Sequence, residues 1–119
     1  MHPFPQATDL NFLIGAELEQ VCLGQWQIQL NFDKARIFVE GELEHVEKSG
    51  NLHRHNTDVD RLSPLFLHRL FGQKIHSIEV EPFCLSLAFN DGDIIRILSD
   101  DGPYECGQIY DRAGHLTVF

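Results

Sequence analysis

The chain has 119 residues, a length at which one hydrophobic core and a single domain spanning residues 1–119 are expected. Hydrophobic residues make up 43% and charged residues 23%, so the composition is that of a globular protein and excludes an intrinsically disordered chain. Eighteen acidic residues against nine basic ones give a net charge of −9, which disfavours binding to nucleic acid or to an anionic membrane.

The first half of the chain predicts a short helical turn followed by strands. The turn ends at Gly15, and a central strand is predicted from Trp26 to Phe32, where apolar and polar residues alternate. Residues 36–46 continue as a third strand or a long ribbon, bent at Gly41. A polar stretch, residues 47–61, is predicted to be the main loop, and a loop of more than about twelve residues is usually functional or mobile.

The second half begins with a clearer helix signal. Ser63 suits the N-cap, Pro64 suits the first helical position and Gly72 suits a left-handed C-terminal cap, which predicts a helix from Leu65 to Phe71. Four strands in a meander are predicted after it, with strong turns at Asn90-Asp91-Gly92-Asp93, Asp100-Asp101-Gly102-Pro103 and Asp111-Arg112-Ala113-Gly114. The predicted strands are 83–89, 94–98, 104–110 and 115–119.

An internal repeat links the two halves. Gly15 and Gly72 open stretches that match without a gap at an offset of 57 residues, and every apolar position in one has an apolar counterpart in the other. The pattern predicts a duplicated helix-plus-strands unit, with pseudo-repeats at about 9–46 and 66–119. The predicted fold is α+β, mostly antiparallel β meanders with one or two short helices. Matched side chains, including Trp26 and Phe83, are expected to share one core.

The outer faces of the two central strands differ in the sequence. The first carries Gln27, Gln29 and Asn31, whereas the second carries the small residues Cys84, Ser86 and Ala88. Small side chains let another element approach closely. The second central strand is therefore predicted to be covered on both faces and the first on only one.

Three carboxylates are spaced by two along the predicted ribbon. Glu40, Glu42 and Glu44 would line one face of a strand. Such a stripe fits a basic protein partner or, paired with a second acidic set, a divalent cation. The favoured interpretation is a solvent-facing strand edge that is kept from aggregating by its charge.

The polar loop carries two histidines. His53 and His55 would lie on one side of an extended chain, and Asp58 or Asp60 would be near enough in sequence to add a carboxylate. No third ligand stands at a defined spacing, and Arg54 between the histidines would repel a cation. A solvated polar loop is therefore the favoured interpretation, and no metal site is predicted.

No sequence motif of an enzyme is present. The chain lacks phosphate-binding glycine loops, the metalloprotease His-Glu-x-x-His and the nucleophile elbow of hydrolases. Cys22 and Cys84 fall within strand patterns, where cysteine usually packs as a small apolar group, and Cys106 precedes Gly107, a candidate bulge. We therefore predict that the protein is not an enzyme and needs no cofactor.

The cellular setting follows from features that the sequence lacks. The N-terminal residues show no basic region followed by an apolar run, and no stretch reaches about 18 consecutive apolar residues. The three cysteines have no zinc-type spacing and cannot all pair with one another. The expectation is a cytoplasmic protein in a reducing compartment.

Several motifs together resemble a family of small bacterial proteins of unknown function. They are Gly15-x-x-Leu18-Glu19-Gln20-Val21, Leu85-x-Leu87-x-Phe89-Asn90-Asp91-Gly92-Asp93, and Tyr104-Glu105 through Ile109 to Gly114-x-Leu116-x-Val118. The resemblance covers most of the chain from about residue 13 and implies a compact α+β fold in the bacterial cytoplasm. It brings no catalytic residue. Tyr104 and Glu105 are the family-like pair whose packing role is least evident from the strand pattern.

Two functional hypotheses follow. The first is a non-enzymatic interaction module of immunity or regulatory type, whose acidic face binds a basic protein. The alternative is a small-molecule or metal-binding domain with a cleft between the two halves, closed by the loop that carries His53 and His55. A homodimer through an exposed strand edge is compatible with both.

Overall fold

A computed structural model describes residues 3–56 and 64–119. In these residues ten β-strands form two five-stranded sheets, and every strand pair is antiparallel. One short 3-10 helix precedes the strands of each half, Ala7–Leu13 in the first half and Leu67–Leu70 in the second. The strands are β1 Leu18–Leu23, β2 Ile28–Phe32, β3 Ala35–Val39, β4 Glu42–Val46, β5 Leu52–Asn56, β6 Ile75–Glu81, β7 Cys84–Phe89, β8 Ile94–Leu98, β9 Gly107–Asp111 and β10 Leu116–Val118. The predicted antiparallel β fold with one or two short helices is confirmed at this level.

Each sheet contains strands from both halves of the chain. The first sheet has the order β1-β2-β3-β9-β10, and the second has the order β6-β7-β8-β4-β5. The hairpin β4–β5 therefore leaves the strands that precede it and pairs with β8, while the hairpin β9–β10 pairs with β3. The two halves are interwoven by this exchange of hairpins.

The core is built from strands whose inward residues are apolar. In β2 and β7 every second side chain is buried, as the alternation predicts. Phe32 and Phe89, which end these strands, stack with ring centroids 6.5 Å apart. Each fully buried side chain such as Leu30 or Leu87 contributes roughly 1.5–3 kcal/mol of transfer free energy.

The start of β1 and the start of β6 are joined by reciprocal backbone hydrogen bonds. The Gly15 N–H donates to the Ile75 carbonyl at 2.8 Å, and the Gly72 N–H donates to the Leu18 carbonyl at 2.9 Å. Both glycines have a left-handed backbone, with φ of +86° and +82°. The left-handed conformation predicted for Gly72 is confirmed. The helix before it is shorter than predicted, and Ser63 lies outside the described residues.

Two predicted segments differ from the structure. The loop predicted at 47–61 contains strand β5 at its centre, and residues 57–61 lie outside the described part of the chain. The ribbon predicted from Arg36 to Val46 is two strands in different sheets. It breaks because the N–H groups of Glu40 and Gly41 both turn to the Cys106 carbonyl, at 2.8 and 3.2 Å.

The prediction that Trp26 and Phe83 lie in the core is wrong. The two residues are 62% and 41% exposed, because both lie in hairpin turns and the inward alternation begins only after them. The predicted contrast between the central strands is also absent. The outward residues of β2 and β7 are half-buried alike.

The N-terminal segment packs across the second half. Phe4 stacks on Phe119 with ring centroids 4.5 Å apart, and its N–H donates to the Pro82 carbonyl at 2.9 Å. Phe119 is fully buried. Across residues 3–56 and 64–119 there is no helix with the length and apolar character needed to traverse a bilayer.

Candidate functional site

The chain passes between the two sheets twice, and the two crossovers meet. The first crossover, between β3 and β4, takes two residues, whereas the second, between β8 and β9, takes eight. The hydrogen bonds from Glu40 and Gly41 to the Cys106 carbonyl hold the crossovers together. The six additional residues of the second crossover form a wall beside the first one.

This wall encloses a cleft of about 340 Å³, here named the crossover cleft. Four residues that the sequence had singled out border it: Glu40, Glu42, Tyr104 and Glu105. The remaining lining residues are Gly41, Asn56, Leu98, Ser99, Asp100, Gly102, Pro103 and Cys106. Because residues 40–42 and 98–106 belong to different halves, the cleft lies between the halves, where the alternative hypothesis had placed one.

Two carboxylates of the cleft are held close together by one amide. The Gln108 Nε2 donates to Glu105 Oε2 at 2.8 Å and to Glu40 Oε2 at 3.3 Å. The two carboxylates therefore lie close enough for their negative charges to repel each other. Tyr104 precedes Glu105 in the chain, borders the same cleft and is 81% exposed. The arrangement is suited to a cationic group that can also contact an aromatic ring.

Glu44, in contrast, is neutralised within the protein. The residue is only 7% exposed, and its carboxylate accepts hydrogen bonds from Arg54 Nε at 3.0 Å and Arg54 Nη2 at 2.8 Å. Arg96 lies on its other side, with Nη1 3.7 Å from Oε1. The pKa of Arg54 is raised above its usual value, first by the hydrogen bond to Glu44 and then by the negative charges of Glu44 and Glu42. The predicted stripe is thus divided, since only Glu40 and Glu42 reach the cleft.

The two predicted histidines do not line the cleft. His53 donates from Nε2 to Glu47 Oε2 at 3.0 Å, and its ring packs edge-on against Phe66 with centroids 4.8 Å apart. That hydrogen bond lowers the pKa of Glu47, and the charge of Arg69 acts in the same direction. His55 is half-buried, and its Nδ1 has no hydrogen-bond partner among the described residues.

The structure offers no metal centre in residues 3–56 and 64–119. No three histidine, cysteine, aspartate or glutamate side chains there are grouped so as to hold an ion. Asp58 and Asp60, which the sequence had placed beside the histidines, lie outside the described residues. Burial raises the pKa of the Cys84 thiol, so this cysteine is protonated and a poor nucleophile at neutral pH.

One buried polar pair was missed by the sequence reasoning. His45 on β4 is fully buried, and its Nε2 donates to Asp93 Oδ2 at 2.8 Å. Asp93 Oδ1 accepts the Lys48 N–H at 2.9 Å, which ties the β4–β5 hairpin to the start of β8. A signal was present in the sequence, because His45 occupies an inward position two residues after Leu43.

Comparisons of the chain with known proteins identify no family. No family model, no curated protein and no solved structure matches the chain.

Proposed function

We propose that the protein is a non-enzymatic binding module, of regulatory or immunity type, which holds a basic segment of a partner protein in the crossover cleft. The observation that carries the proposal is the pair of carboxylates on Glu40 and Glu105, bridged by Gln108 beside the exposed Tyr104 ring. A cationic side chain would relieve the repulsion between the two carboxylates.

Arginine or lysine side chains fit this chemistry. A guanidinium group can bind a carboxylate through two hydrogen bonds and stack on the face of a tyrosine. The net charge of −9 extends the attraction beyond the cleft and would accelerate encounter with a basic protein. The same charge argues against nucleic acid or an anionic membrane as the partner.

A second part of the proposal is that the two halves are copies of one duplicated unit. The reciprocal hydrogen bonds of Gly15 and Gly72 join equivalent residues at the offset of 57. The crossovers, of two and eight residues, are where the halves differ most in length. An added segment at the cleft is expected if one copy gained a binding role after duplication. The resemblance to small bacterial proteins favours a cytoplasmic setting.

The proposal can be tested with a basic peptide and two charge-matched variants. Hexa-arginine should bind the intact protein, and Glu40→Gln/Glu105→Gln should weaken binding by about tenfold or more. The control is Glu19→Gln/Glu79→Gln, which removes the same charge from exposed positions on β1 and β6. Isothermal titration calorimetry at low and physiological salt measures both. Equal losses in the two variants would show that only net charge matters and would refute the cleft.

A small cationic ligand is the second candidate, and the volume of the cleft favours it. At about 340 Å³ the cleft lies at the lower end of the range of ligand pockets. The carboxylates would select a polyamine-like molecule over an anion. If spermidine stabilises the protein in a thermal-shift assay and competes with hexa-arginine at the same residues, the small ligand is the better assignment. A homodimer paired through the edge strands β1 or β6 would leave the cleft open.

A further inference from the structure

A surface corner away from the crossover cleft is lined by more basic than acidic side chains. Where the β2–β3 turn meets the β9–β10 turn, two adjoining depressions of about 310 and 220 Å³ share Lys34, Asp111 and Arg112 in their walls. Arg36 borders the smaller depression, and Phe12 borders the larger one. Lys34, Arg36 and Arg112 are named the cationic corner here.

The charges of the cationic corner are not paired within the described part of the protein. Lys34 and Arg112 form no ion pair there, and Arg36 has only the ring of Tyr110, 5.9 Å from its guanidinium carbon. Every other arginine in residues 3–56 and 64–119 contacts a carboxylate. Three such cations border one pair of adjoining depressions.

The two carboxylates at this corner are already engaged in shaping the turns. Asp33 Oδ1 accepts the Glu17 N–H at 2.9 Å. Asp111 Oδ1 accepts the N–H groups of Ala113 and His115, and its Oδ2 accepts from His115 Nδ1, each at 2.9 Å. The cations therefore outnumber the carboxylates, and these carboxylate oxygens accept hydrogen bonds from backbone N–H groups and from the His115 imidazole rather than from the cations.

We propose that the cationic corner binds the phosphate group of a small ligand whose apolar part lies against Phe12. Lysine and arginine are the side chains that recognise phosphate most often, the arginine through paired hydrogen bonds. Phe12 supplies an apolar surface beside them. The two small depressions and the net charge of −9 favour a compact ligand over a nucleic acid strand.

This site is separate from the crossover cleft. β3 runs from Ala35 at the cationic corner to Val39 at the cleft, and β9 runs back alongside it. Five residues of strand span roughly 15 Å. An experiment can therefore contradict the phosphate site without contradicting the proposed function, and the reverse also holds.

The test is a titration of the full-length, ¹⁵N-labelled protein with phenyl phosphate and with inorganic phosphate, followed by NMR. Saturable shifts are expected around residues 34, 36 and 112, with phenyl phosphate binding about tenfold more tightly because of the apolar contact. Lys34→Gln/Arg112→Gln should weaken both ligands by about tenfold or more. Phe12→Leu should weaken phenyl phosphate and leave inorganic phosphate unchanged.

The matched control is Lys48→Gln/Arg96→Gln, which removes one lysine and one arginine charge from the second sheet, away from the corner. Circular dichroism and thermal melts confirm that each variant is folded before it is titrated. The proposal is overturned if neither ligand saturates, if the control loses as much affinity as the corner variant, or if the shifts spread over the surface. A single-stranded oligonucleotide that binds more tightly than phenyl phosphate would also overturn it.

Discussion

The imidazole of His45, fully buried on β4, donates from Nε2 to the Asp93 carboxylate at 2.8 Å. Ile109 holds the matching place in the other sheet, because it faces Ile37 of β3 as His45 faces Ile95 of β8. A histidine at a core position needs its partner, since a buried polar group without one costs about 1–3 kcal/mol.

This relationship predicts that Asp93→Ala lowers the free energy of unfolding by about 2–3 kcal/mol in the natural background. In a His45→Ile background the same substitution should cost clearly less, because no buried imidazole then loses its partner. A double-mutant cycle from urea unfolding curves measures the difference. Additive effects of the two substitutions would contradict the pairing. Asp101→Ala, at an exposed turn, serves as the control.

The close approach at Gly107 leads to a second prediction. A Cβ at this position would overlap the carbonyl oxygen of Phe38 and the ring of Phe119. Gly107→Ala is therefore expected to cost about 3 kcal/mol or more, because the clash involves backbone and a buried ring. Gly50→Ala is the comparison, since Gly50 has a φ of +96° but open space around it, and should cost only about 1–2 kcal/mol. A smaller loss at Gly107 than at Gly50 would show that β9 packs differently.

The sequence predicted the strands whose pattern lies in neighbouring residues and missed a strand that depends on pairing with a distant one. The alternation of Leu85, Leu87 and Phe89 and the turn at Asp91-Gly92 predicted β7 and β8, and β8 was predicted with its observed bounds. Strand β5 was missed because its residues, Leu52–Asn56, are mostly polar. It is an edge strand held by pairing with β4, and no local pattern reports a partner elsewhere in the chain.

The candidate site was visible only in pieces. Glu40, Glu42, Tyr104 and Glu105 were singled out by spacing and resemblance, but their meeting depends on the two crossovers contacting each other. Glu44 was grouped with them because period-two spacing places it on the same face. Its neutralisation by Arg54 and Arg96 follows from cross-strand register, which the sequence does not specify.

The hydrogen bond between His53 and Glu47 makes the stability of this region dependent on pH. The pKa of Glu47 is lowered in the folded protein, first by this hydrogen bond. Its contribution is therefore present above the unfolded pKa of about 4.3 and is lost as the pH falls through the folded value. The stability difference between the natural protein and Glu47→Gln should shrink between about pH 6 and pH 3. Urea midpoints across this range measure it, with Glu79→Gln as an exposed control. A difference that grows on acidification would contradict the direction of the shift.

The exchange of hairpins predicts how the chain behaves when it is divided between its halves. Each sheet needs strands from both sides of residues 57–63, because β4 pairs with β8 and β9 pairs with β3. A fragment of residues 1–59 would expose the inner faces of β2 and β3, and a fragment of residues 60–119 would expose those of β7 and β8. We expect either fragment alone to be unfolded or aggregated, and the two co-expressed fragments to purify together at equal stoichiometry. Circular dichroism and cooperative thermal unfolding of the reassembled complex provide the measurement. If either fragment unfolds cooperatively as a monomer, its own strands suffice for a core, and the interweaving of the halves is not what holds the fold together.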